Sequence, residues 1–135
     1  MAVSFGFGVG DFLAVANLAF KITMLLREIK GVSADYKRLI ADLEFTTQAL
    51  NHAGRLQNLS NTLPISAKNA VSHGLSCCQR DLERLMEIIQ KYHSGFHPFQ
   101  KVKWAIIESE DVNKLRDNIC KSVVQINLIL SVIGL

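Results

Sequence analysis

Residues that break or crosslink a chain are scarce in this sequence. Two prolines, Pro64 and Pro98, occur in 135 residues, which favours long helices over a fold with many turns. There are three cysteines, and Cys77 and Cys78 are adjacent while Cys120 stands apart. An odd count with two neighbours excludes a disulfide framework. We therefore expect reduced, buried thiols in an intracellular protein.

Neither sign of charge is in large excess. The net charge is +3, and the basic residues are scattered along the chain, so no nucleic-acid partner is expected. A modest attraction to anionic lipid is compatible with this charge, since each well-placed cation adds about 1 kcal/mol near such a surface. With 49% hydrophobic and 20% charged residues, the composition predicts one globular domain over residues 1–135.

The amino-terminal part lacks the features of a targeting segment. No lysine or arginine precedes Lys21, so a secretory signal is not expected. Asp11, Asn17 and Lys21 interrupt the apolar run, which argues against a simple transmembrane helix. Residues 5–10 alternate phenylalanine or valine with glycine, and we expect residues 1–10 to form a flexible tip.

Hydrophobic periodicity predicts four main helices. The first covers about residues 12–29 with Asp11 as its N-cap, and the second runs from Ser33 to about residue 53. The third contains a seam over residues 71–92, and the fourth covers about 110–133. Residues 104–107 form a short connecting helix or the lead-in to the last one. These elements predict an all-α, antiparallel helical bundle.

The predicted core seam lies on the third and fourth helices, where apolar residues recur at intervals of three and four. Its members are Leu75, Cys78, Leu82, Leu85, Ile89, Leu115, Ile119, Ile126 and Leu130.

The first helix is apolar almost all round. A surface helix needs only one apolar stripe, so this one is either central in the bundle or destined for another apolar partner, such as a membrane. The last helix is similarly apolar from Val123 onward, and we expect the two terminal helices to pack centrally or to cover one another. The candidate membrane-interaction residues are Phe5, Phe7, Val9, Phe12, Leu13, Leu18, Phe20, Lys21, Ile22 and Leu25.

No constellation of residues indicates an enzyme. Gly6, Gly8 and Gly10 follow no predicted strand, as a nucleotide-binding fingerprint requires. His93 and His97 pair poorly with the adjacent cysteines as zinc ligands, and the carboxylates are expected on solvated helix faces. We therefore predict no catalytic residue, no metal site, no cofactor and no enzymatic activity.

Segments near both ends of the chain resemble a known family. The opening VSFGFGVGDFLAV of residues 3–15 resembles the start of fungal proteins with a HeLo-like domain, also called the fungal N-terminal domain of STAND proteins. KWAI at 103–106, VNKLR at 112–116 and NLIL at 127–130 resemble the closing helix of the same family. The resemblance covers essentially the whole chain.

The resemblance implies a helical bundle at the N-terminus of a receptor, often with a nucleotide-binding oligomerisation module following in cis. Such domains are similar to the bundle of the executioner pseudokinase of necroptosis, and they act in fungal programmed cell death and heterokaryon incompatibility. In that family the first helix leaves the bundle and permeabilises the plasma membrane, a role that falls here on residues 5–26. Cytoplasmic location, self-association and recruitment to membrane lipid are the corresponding expectations. The alternative is a protein-interaction or oligomerisation module with no membrane activity.

Overall fold

Four helices form almost the whole of the part that the computed structural model describes, namely residues 9–28, 34–55, 64–93 and 110–132. They are α1 (Val9–Arg27), α2 (Ala34–Arg55), α3 (Ile65–His93) and α4 (Glu110–Val132). Among the described residues, Glu28 and Pro64 alone are not helical. The predicted all-α bundle of four main helices is therefore confirmed. The connecting helix predicted at 104–107 and residues 1–8 of the tip lie outside the described residues.

Helix ends differ from the predicted ones by a few residues. Helix α1 begins at Val9, within the segment predicted to be flexible, so Asp11 lies in the first turn and not at the N-cap. A carboxylate there still suits the positive end of the helix dipole. Helix α3 begins six residues before the predicted seam. The amide of Lys68 donates to the carbonyl of Pro64 at 3.0 Å, which closes the first turn.

The four helices form a ring in which each has two close neighbours. Helix α1 packs against α2 and α3, and α4 packs against α3 and α2. The diagonal pairs, α1 with α4 and α2 with α3, touch only marginally. The expectation that the two terminal helices cover one another is therefore wrong. Their apolar faces are buried mainly against α2 and α3, because a helix in a four-membered ring packs along its length only against its two neighbours.

Contacts between helices give their directions. Gly54 near the end of α2 meets Phe12 near the start of α1, so these helices are antiparallel. Gly74 of α3 meets Ile126 of α4, and Cys120 of α4 lies close enough to Cys78 of α3 to contribute to its raised pKa, so this pair is also antiparallel. In contrast, α2 and α4 run in the same direction, since Asp42 contacts Arg116 and the groove farther along joins residues 45–52 to 127–131. Consecutive helices therefore alternate in direction.

The core lies on the inner faces of all four helices. Its α3 and α4 part includes eight members of the predicted seam that are 6% exposed or less, and Leu115 is half-buried against them. Two buried hydroxyls are satisfied within their own helices. Thr23 Oγ1 donates to the carbonyl of Ala19 at 2.9 Å, and Thr46 Oγ1 donates to that of Asp42 at 2.9 Å, so neither introduces an unpaired polar group into the core.

Candidate membrane-interaction surface

Helix α1 presents apolar side chains on its buried face and along an adjacent exposed side. Its inner face buries Phe12, Val15, Ala16, Ala19, Ile22 and Leu26, each at most 1% exposed. Its outer face carries Leu13, Phe20 and Met24, which are 42%, 52% and 43% exposed. Spacings of seven and four residues align these three along one side of a helix; we call them the α1 outer stripe. The inner face is part of the hydrophobic core, whereas the α1 outer stripe is not.

The ten predicted membrane-interaction residues divide into four groups. Leu13, Phe20 and Lys21 are exposed. Leu18 and Leu25 are half-buried against the core. Phe12 and Ile22 are fully buried core residues, so in this structure they are not available to a membrane. Phe5 and Phe7 lie outside the described residues, as does the side chain of Val9.

Phe20 stands beside a groove between α1 and α2. The groove has a volume of about 190 Å³ and is lined by Phe20, Thr23, Arg27, Glu44, Thr47 and Gln48. At one end the Arg27 guanidinium pairs with the Glu44 carboxylate, joining the last turn of α1 to the middle of α2. Both side chains are about half exposed, so this pair contributes about 0–1 kcal/mol at most. The contact of α1 with α2 therefore depends on apolar packing.

Met24, which was absent from the predicted membrane-interaction residues, completes the outer stripe. Its spacing of four from Phe20 is visible in the sequence. The difficulty lies in the composition of α1: when nearly every position is apolar, periodicity cannot indicate which apolar residues face outward.

A second exposed apolar stripe lies on α4. Val124, Leu128 and Val132 are 56%, 61% and 79% exposed and are spaced by four; we call them the α4 outer stripe. Phe45 on the adjacent α2 is 53% exposed and borders a groove of about 360 Å³ between α2 and α4. The sequence predicts that α4 is apolar on most sides, but none of these four residues was among the predicted site residues. Ile65 at the start of α3 is 77% exposed, so exposed large apolar side chains occur on all four described helices.

Among the described residues, no helix is both long enough and apolar enough to span a bilayer. In the same part of the chain, no three histidine, cysteine or acidic side chains are grouped as metal ligands would be. His93 is described only by its backbone, and His97 lies outside the described residues.

No protein-family model, no curated protein and no solved structure matches this chain.

Proposed function

We propose that this chain is a HeLo-like domain, a membrane-targeting and cell-death-inducing effector of a fungal immune-receptor-type protein. In this proposal oligomerisation, driven by a receptor module in cis, exposes α1 and recruits the domain from the cytoplasm to the plasma membrane. The observation that carries the proposal is the α1 outer stripe, because a helix with a complete core face has no structural use for Leu13, Phe20 and Met24 outside. The four-helix fold and the resemblance at both ends of the chain support it.

The outer stripe provides a first contact that requires no rearrangement. Fully burying a large apolar side chain is worth about 1.5–3 kcal/mol. Since the three stripe residues are between two-fifths and about half exposed, transferring what remains exposed into the bilayer interface would contribute about 2–4 kcal/mol in total. Lys21, which is exposed next to Phe20, can accompany this contact with an attraction to anionic head groups.

Release of α1 is the costly step. It would expose four large side chains that are now fully buried, Phe12, Val15, Ile22 and Leu26, at a cost of about 6–12 kcal/mol. That range is comparable to the whole stability of a typical domain, so α1 does not leave spontaneously. Transfer of the same side chains into lipid, or into contacts between copies, must offset the cost. This is why the proposal couples release to oligomerisation.

The test compares two matched triple variants. The first is Leu13→Ser, Phe20→Ser and Met24→Ser on α1; the control is Val124→Ser, Leu128→Ser and Val132→Ser on α4. Binding to vesicles containing anionic lipid and release of an entrapped dye are measured for both, with the domain fused to an inducible oligomerisation module. The α1 variant should bind roughly 30- to 700-fold more weakly, the equivalent of about 2–4 kcal/mol. The α4 variant should bind and permeabilise like the wild type.

Two results would contradict the proposal. One is the absence of binding and leakage for the wild type even when the domain is forced to oligomerise. The other is equal loss in both variants, because the residues of the α4 stripe are more exposed than those of α1 and would then contribute at least as much. Circular dichroism of both variants controls for loss of the fold.

A second candidate function is a protein-interaction or oligomerisation module without membrane activity. The observation that favours it is the exposed apolar surface on α2 and α4, at Phe45 and the α4 outer stripe, which release of α1 does not explain. Sedimentation of the same two variants distinguishes the functions. If the α4 variant loses self-association while neither variant nor the wild type binds vesicles, the second function is correct.

A further inference from the structure

A thiol on the outer side of α3 lies between a base and a cation. Cys77 Sγ is 3.5 Å from His73 Nε2, and Arg80 Nη2 donates a hydrogen bond to the same sulfur at 3.4 Å. His73 precedes Cys77 by four residues and Arg80 follows it by three, so the helix places all three on one face. Cys77 is half-buried, while His73 and Arg80 are exposed, so a small reagent can reach the sulfur.

Each neighbour has a definite chemical effect on this sulfur. The unprotonated Nε2 of His73 can accept the thiol proton, and the imidazolium that forms is a positive charge beside the thiolate. The Arg80 guanidinium can only donate hydrogen bonds, so its contact places a positive charge beside the sulfur. A nucleophile in contact with both a base and a permanent cation is the arrangement found at reactive cysteines, because the thiolate is the nucleophilic form.

The other two cysteines provide a contrast within the same molecule. Burial, with smaller contributions from Asp81, Cys120 and Cys77, raises the pKa of Cys78 to about 12. Burial and the nearby Asp42 likewise raise the pKa of Cys120. Both thiols are therefore harder to ionise than an ordinary cysteine. Cys78 is also fully buried in the core, whereas Cys77, one residue away, points about 100° around the helix toward solvent.

We propose that Cys77 is an oxidative modification site, at which a hydroperoxide converts the thiol to a sulfenic acid with the help of His73 and Arg80. His73 takes the thiol proton, and the thiolate sulfur attacks one oxygen of the peroxide. The sulfur–oxygen bond forms as the oxygen–oxygen bond breaks, and the departing oxygen takes the proton from the imidazolium and leaves as an alcohol. Sulfur is oxidised by two electrons and the peroxide is reduced by two, so no other reagent is consumed.

The site is independent of the proposed membrane function. It lies on α3, which belongs to neither outer stripe, and its chemistry requires no lipid and no second copy of the chain.

The experiment measures sulfenic acid formation at each cysteine. The full chain is treated with tert-butyl hydroperoxide in the presence of dimedone, which traps sulfenic acids, and the labelled positions are quantified by peptide mass spectrometry. Label should accumulate at Cys77 well before Cys78 or Cys120. His73→Gln and Arg80→Gln should each slow the labelling of Cys77 by about two- to fivefold, as expected for exposed charged contacts, and Arg80→Lys should restore most of the rate.

His52→Gln and Arg55→Gln are matched controls, since they make the same changes at exposed positions on α2, the helix diagonally opposite α3. Both should label like the wild type. The proposal is overturned if Cys78 or Cys120 labels as fast as Cys77. It is also overturned if neither His73→Gln nor Arg80→Gln changes the rate relative to the α2 controls. Thermal melting verifies that each variant remains folded. We expect this because exposed positions on a helix tolerate such substitutions.

Discussion

Replacing Gly54 with alanine should loosen α1 without altering α1 itself. A Cβ built on Gly54 would lie 3.1 Å from Phe12 Cβ, closer than two carbon atoms normally approach. Phe12 Cβ is bonded directly to the backbone and cannot rotate away, so the start of α1 must move as a whole. Overpacking of this kind costs about 1–3 kcal/mol, whereas alanine in place of glycine favours a helix by about 1 kcal/mol. The net expectation is a destabilisation of about 0–2 kcal/mol.

Gly74→Ala provides the matched control. A Cβ there also meets an atom at 3.1 Å, but that atom is Cγ1 of the Ile126 side chain, which a small χ1 rotation within the same rotamer can move away. The gain in helix propensity should therefore offset most of the strain, and the contact lies between α3 and α4, away from α1. Gly74→Ala is expected to melt near the wild-type temperature, and Gly54→Ala several degrees lower.

Thermal melting followed by circular dichroism measures the loss of stability. Dye release from anionic vesicles measures how readily α1 leaves the bundle. Because Gly54→Ala weakens the contact that retains α1 and removes no apolar group from it, dye release should begin at a lower protein concentration. The reasoning is refuted if Gly54→Ala melts at or above the temperature of Gly74→Ala. If it melts lower but releases dye like the wild type, the packing argument survives and departure of α1 does not limit membrane activity.

Two further predictions concern stability. Arg116 donates to Asp42 Oδ2 from Nε at 2.8 Å and from Nη2 at 2.7 Å. Because the two side chains are 20% and 36% exposed, the strength of this ion pair should lie between that of a surface pair and that of a buried pair. Arg116→Gln should therefore lower the free energy of unfolding in urea by about 1–2 kcal/mol. In an Asp42→Asn background the same change should cost clearly less, and equal costs would show that the pair is not coupled. The raised pKa of Cys78, about 12 from an ordinary value of 9.0, means that the folded state retains a proton that the unfolded state loses. Stability from this thiol is therefore complete below about pH 9 and is lost as the pH rises toward 12. Cys78→Ala should flatten that decline in pH-dependent unfolding, and an unchanged slope would contradict the assignment.

The amino-acid sequence by itself determined the helices and most of the core. Few prolines and the recurrence of apolar residues at three and four predicted four helices, because an α-helix brings such positions onto one side. On α3 and the first half of α4 polar residues separate the apolar ones, so residues such as Leu82 and Ile119 could be assigned to the core from their spacing. The contact of His73 with Cys77 also follows from helical spacing, although the sequence predicted Cys77 to be a buried hydrophobe or, less favourably, a zinc ligand, and the structure leaves it half-buried.

Only the tertiary structure decided which faces the nearly all-apolar helices bury. On α1, Phe12 and Leu13 are adjacent and similarly hydrophobic, yet one is in the core and the other faces solvent, a choice made by the positions of α2 and α3. The diagonal placement of α1 and α4, the close approach at Gly54 and the pairing of Asp42 with Arg116 likewise join residues far apart in the sequence. Periodicity describes one helix at a time, so the relations between helices depend on how side chains from all four fill the same interior.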